Sequence, residues 1–276
     1  MLQMRNPGSR IHLFLFVLVS FLPTIEGNSQ SVNLSNKEMN KTQTEMPSRL
    51  KRKFRRDAAR LALRLSSQED DLRYQSIVIS QSSIQNFYKI LSSIYLFDQT
   101  AKSISKCNVH TFPNPSIDHF VVIFDKTIDW AAPLRKGISE TNSHEINDLL
   151  DEFDLIIEKY VQWNDTRDAM TIRSKEPLNM AALANEFYNV EGVSEVDLGV
   201  PDVSGNDIQV HRMQGGWEVD YILRFGSHLN GQGSAHIWKY KVTDEGVISF
   251  HSETGEPVPS WMRCYFEPDG FLEARL

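Results

Sequence analysis

The sequence predicts an α+β fold: a ferredoxin-like βαββαβ domain, then a small antiparallel β-sheet, with a helical segment ahead of both. Three patterns carry that prediction. Between His119 and Leu198, apolar runs of strand length alternate twice with segments of helical period. Between Trp217 and His251 the apolar residues fall at period two. From Ser48 to Ser66 they recur at spacings of three and four.

The N-terminal 29 residues read as a secretory signal peptide. Arg5 and Arg10 precede the apolar run Ile11–Leu22, and Gly27 and Ser29 suit cleavage. The run is short for a membrane span, so no stable span is expected after cleavage. The absence of a nearby cysteine argues against lipid anchoring, and the expected location is secreted or periplasmic. Residues 30–47 are polar and aperiodic, as in a flexible leader. Asn33, Asn40 and Asn164 begin glycosylation sequons. The two cysteines, Cys107 and Cys264, are too few for a disulfide framework but are able to form one bridge in an exported chain.

Residues 48–104 are read as a basic helical segment. Ser48 is the expected cap, and Leu50, Phe54, Ala58, Leu61 and Leu65 mark one helical face. Residues 49–64 carry eight basic side chains against Asp57, a local charge of +7 in a chain of net −7, so the remainder sums to −14. The plain reading is a solvated basic face over a packed stripe; contact with an acidic or membrane surface, or processing after Arg49-Leu-Lys-Arg52, are the sharper ones. Tyr74–Ser80 suggests a short strand. Ile84–Phe97 suggests a second helix, with Phe87, Ile90, Leu91 and Ile94 on one side.

The ferredoxin-like domain is expected over 105–200. His119–Asp125 is apolar enough for a central strand. Asn142 and Glu145 have capping-box spacing ahead of Ile146, Leu149, Leu150 and Phe153. Strands at Ile156–Gln162 and Ala169–Ser174 follow, then a helix capped by Asn179 with Met180, Leu183, Ala184 and Phe187 inward. Gly192 ends it, and Val193–Leu198 is the last strand. Pro201–Asn206 is the expected boundary to the antiparallel domain of 206–276. There Trp217, Val219, Tyr221, Leu223 and Phe225 alternate, as do Trp238, Tyr240 and Val242, with Val247–His251 as a further strand.

No HExxH, P-loop, nucleophile elbow or paired CxxC is present, and no cofactor is implied. His228 and His236 flank the loop 226–235 and are the weak candidates for a metal site. Asp148, Asp151, Glu152 and Asp154 read as a solvated acidic helix face. Trp217, Tyr221, Trp238 and Tyr240 read first as core and second as an aromatic platform for a sugar or peptide. The acidic body disfavours nucleic acid.

Val109–Ser116, Pro177–Phe187 and Val190–Val196, with Asp57–Arg64, resemble a family of uncharacterised exported proteins of Bacteroidetes-type bacteria. That resemblance implies export and no particular activity; the cysteine pair such proteins often carry between their C-terminal strands is absent from 226–235 here. Residues 119–198 also resemble the ferredoxin-like prodomain of subtilisin-like proteases, a chaperone-inhibitor, although the final strand here runs into further sequence. The resemblance implies a protein partner, either a protease or a surface protein, with Glu195 and Asp197 on the last strand as candidate contacts. The expected function is non-enzymatic protein binding, in one form protease inhibition. The alternatives are ligand binding on the aromatic sheet and a metal-dependent hydrolase at His228 and His236.

Overall fold

A computed structural model describes residues 45–199, 205–226 and 233–262. The expected signal peptide, the leader up to residue 44, His228 and Cys264 lie outside the described residues. Helix α1 spans Ser48–Ser66 and buries Phe54, Ala58 and Leu61, the face its spacing marks out. Ser48 is not its cap. Pro47 holds that position, and its carbonyl accepts from the amides of Leu50 and Lys51. Met46, at the end of the expected leader, is buried in the same core as Phe54.

The expected strand at 74–80 does not form. Residues 72–74 make a 3₁₀ turn, and Tyr74 and Val78 are exposed. The carbonyls of Leu72 and Ser76 accept from the Asn179 amide side chain and that of Ile77 from the Asn179 backbone, so these acceptors are spent on a tether and not on a strand ladder. Helix α2 (Gln81–Phe97) follows, capped by Ser80, and the short α3 (Gln99–Ile104) is capped by Asp98.

The middle of the chain supplies strand β1 (His119–Asp125), helix α4 (His144–Glu152), strands β2 (Leu155–Gln162) and β3 (Arg167–Ser174), helix α5 (Met180–Tyr188) and strand β4 (Val193–Asp197). They form an antiparallel sheet of order β2-β3-β1-β4. Phe120, Val122, Phe124, Met170 and Ile172 line one face and pack with Ile146 of α4 and Met180, Leu183 and Phe187 of α5. Asn179 caps α5 as the sequence predicts, accepting from the Ala182 amide. Asn142 does not cap α4. Its backbone amide is held by the Trp130 carbonyl, and Ser143 takes the cap, accepting from the Ile146 amide.

A second antiparallel sheet runs in sequence order through β5 (Asp207–Met213), β6 (Gly216–Phe225), β7 (Ser234–Thr243) and β8 (Ile248–Gly255). Its inner face, with Val219, Tyr221, Leu223, Trp238, Tyr240 and Val242, packs on Phe54, Leu61, Phe87, Leu91 and Ile94 of α1 and α2. The basic helical segment and the C-terminal sheet are therefore not separate parts; they share one core, and the β1–β4 unit is inserted between them. An amphipathic helix pair and a half-buried sheet each need a cover, and here each covers the other.

Candidate functional site

The inserted sheet has two unlike faces. Its helix side is closed by α4 and α5. On the other side, residues opposite one another across the ladders form rows, because directly paired residues in antiparallel strands point the same way. One row runs Asp197, Val121, Thr171, Lys159; the next runs Glu195, Ile123, Ala169, Val161. Both acidic candidates, Glu195 and Asp197, are exposed on the edge strand β4, and Lys159 is exposed on the edge strand β2. The first row thus grades from acidic through apolar to basic, whereas in the second Ile123 and Ala169 are buried and the row ends in Val161. Ile156, 43% exposed, adds an apolar side chain beside Arg173 on the same side. Such a surface offers charged side chains at its two edges, the half-buried Val121 and Thr171 between them, and unpaired backbone groups along the β4 edge.

The other candidates are placed differently. Tyr221, Trp238 and Tyr240 are at most 3% exposed, so they are core and form no surface platform. Alternation on a sheet that a helix pair covers puts every second residue inside. Burial pushes the Tyr221 and Tyr240 phenols far above their ordinary range. Tyr240 donates to Asp98 Oδ1 at 2.8 Å, whereas the Tyr221 hydroxyl has no partner among the described residues. Trp217 is half-buried, edge-on to Phe87 at 5.1 Å and under the Arg212 guanidinium. His236 is buried, with Nδ1 2.8 Å from the Glu256 carbonyl and its ring against Trp238. No group of three metal-binding side chains occurs among the described residues. The acidic residues Asp148, Asp151, Glu152 and Asp154 are exposed, as expected of a solvated face.

Sequence reasoning missed the junction between the two cores. The arginines at the C-terminal end of α1 are not solvated. Arg60 is 6% exposed and donates to Thr111 Oγ1 at 2.8 Å and to the Pro115 carbonyl at 3.0 Å. Burial lowers its pKa to about 10 despite the help of nearby Asp57. Asp57 is 2% exposed and accepts from the Thr111 amide and hydroxyl, with His110 Nδ1 at 2.7 Å. Arg64 spans the carbonyls of Phe112, Asn114 and Ile208 and pairs with Asp207. The cue was the run Thr111–Ser116, whose two prolines leave carbonyls that no ladder serves. On the inserted unit, Asp168 is fully buried, and its Oδ2 accepts from the Tyr160 hydroxyl at 2.6 Å. Burial and that bond push the Tyr160 phenol up to about 12.

Cys107 is disulfide-bonded. No described helix is long and apolar enough to cross a membrane. Comparison with family models, curated proteins and solved structures finds no match.

Proposed function

We propose that this protein is an exported, non-enzymatic protein-binding module of ferredoxin-like type, and that its partner is a serine protease held in the manner of an inhibitory prodomain. The observation that carries this reading is the face of the inserted sheet away from α4 and α5, with exposed Glu195 and Asp197 along its β4 edge. The order β2-β3-β1-β4, with α4 and α5 packed on the opposite face, supports the ferredoxin-like assignment. The half-cystine at Cys107 supports passage through an oxidising compartment. The burial of Tyr221, Trp238 and Tyr240 weighs against the aromatic-platform alternative, and the backbone contact and stacking of His236 weigh against the metal-hydrolase alternative.

The test is a panel of subtilisin-like and trypsin-like proteases assayed with micromolar full-length protein. Slow, saturable inhibition of one of them is expected, weakened by at least about tenfold in an E195R/D197R variant, because like charge placed in a complementary patch is repelled. Protein that inhibits none of the panel, or a double variant that inhibits as well as the parent, would sink the protease reading.

A further inference from the structure

Six of the first nine residues of α1 are basic, and none of its first turn is acidic. That is the wrong sign for a helix start, where the dipole favours anions, so the arrangement opposes helix stability. Most of these cations have an internal partner. Lys51 pairs with Glu45, Arg55 with Glu176 and Arg56 with Asp118, and Lys53 bonds Asn108. Arg49 and Arg52 are exposed and have no ion-pair partner among the described residues.

Arg52 and Arg55 stand on the ridge between two grooves. One, of about 340 Å³, opens toward α2, where Lys51 joins the arginines and Gln81, Gln85 and Tyr88 supply neutral polar groups; no carboxylate lines it. The other, of about 180 Å³, opens toward the inserted unit and adds Arg56 and Lys175. Its two carboxylates, Asp118 and Glu176, are already engaged by Arg56 and Arg55.

We propose that this double groove binds a saccharide carrying sulfate or phosphate groups. Guanidiniums at helical spacing meet successive tetrahedral oxyanions with paired hydrogen bonds. The glutamine amides and the tyrosine phenol match sugar hydroxyls, which a plain phosphate site would not need. A basic cluster of this length is a recognised heparin-type patch. An anion here also relieves the repulsion among the α1 cations. This inference is independent of the protease reading, since it uses none of the β4 residues.

The experiment titrates the full-length protein with a heparin octasaccharide at physiological salt. Inorganic sulfate, dextran, and phosphatidylcholine vesicles with and without phosphatidylserine are the comparators. Saturable octasaccharide binding is expected, weakening with added salt and by at least about tenfold in R52E/R55E at unchanged melting temperature. If R52E/R55E folds poorly, R52Q/R55Q replaces it, since both side chains are exposed. Absence of octasaccharide binding overturns the proposal, as does equal affinity in the folded variant. Tighter, Arg52-dependent binding to the phosphatidylserine vesicles overturns it in favour of a membrane surface.

Discussion

Arg64 on α1 donates to Asp207 at the head of β5 across 2.8 Å of space and 143 residues of sequence. Asp207 Oδ1 also accepts from the amides of Phe112 and Ile208, so one carboxylate oxygen joins the helix, the crossing loop and the second sheet. Both side chains are largely shielded from solvent, and removing either strands buried groups. Arg64→Ala is expected to cost roughly 2–3 kcal/mol in urea unfolding followed by tryptophan fluorescence. Arg64→Lys is expected to recover less than half of that, because a lysine ammonium does not span the three carbonyls that the guanidinium serves. A loss below about 0.5 kcal/mol in Arg64→Ala would mean that the junction is held by packing alone.

The two buried tyrosines of the second sheet make a matched pair of opposites. Tyr240 donates to Asp98, which also caps α3, and the Tyr221 hydroxyl is buried without a partner among the described residues. Tyr240→Phe is therefore expected to destabilise by about 1–2 kcal/mol. Tyr221→Phe removes an unsatisfied polar atom and is expected to be neutral or stabilising by up to about 1 kcal/mol. Thermal unfolding of the two variants side by side checks this, and equal losses in both would refute it.

What the sequence made legible was each element that has a strong period of its own. The Asn179 cap with Met180, Leu183 and Phe187 defined α5, and the alternation from Trp217 to Phe225 defined β6. What covers what was not legible, because a period shows that a strand has an inner side without naming its cover. That is how Tyr221 and Trp238 came to be weighed as a platform when α1 and α2, more than a hundred residues away, lie over them. Strand β5 was missed because its alternation is confined to Ile208 and Val210 and is broken by Arg212 at a sheet edge. Arg60 and Arg64 looked solvated because charge ordinarily is. Their burial depends on the unpaired carbonyls of a loop some fifty residues on. Of the candidate site, Glu195 and Asp197 lie exposed on the edge strand β4.

Acid should loosen the contact between α1 and the inserted sheet. Burial alone would raise the Asp118 pKa, but His119 and Arg56 bond its carboxylate and hold it below the ordinary 3.8. A depressed folded-state pKa means the stabilisation is fully present above about pH 4 and is lost as pH falls through the lowered value. Asp118→Asn is expected to be less stable than the parent by roughly 1 kcal/mol at neutral pH. The gap should close in the acid range below the ordinary carboxylate value. Urea midpoints measured across pH 2.5–7 would show a constant gap if Asp118 contributed only by its shape.

Gly192 sets the course of the edge strand on which the binding face depends. Its φ is +82°, and a Cβ there would lie 2.8 Å from Ile128 Cδ1 and 2.9 Å from Cγ1. Its carbonyl accepts from the Asp125 amide, and the Trp130 indole holds the neighbouring Glu191 carbonyl, so the backbone is fixed from two sides. Gly192→Ala therefore meets both a conformational cost of about 1–2 kcal/mol and a side-chain clash. A total loss of roughly 2–3 kcal/mol is expected, with faster hydrogen exchange along β4. Adding Ile128→Ala removes the clash and leaves the backbone cost, so in the Ile128→Ala background Gly192→Ala should cost only about half as much. If it costs the same in both backgrounds, the clash contributes nothing and the left-handed conformation alone makes glycine necessary at the start of β4.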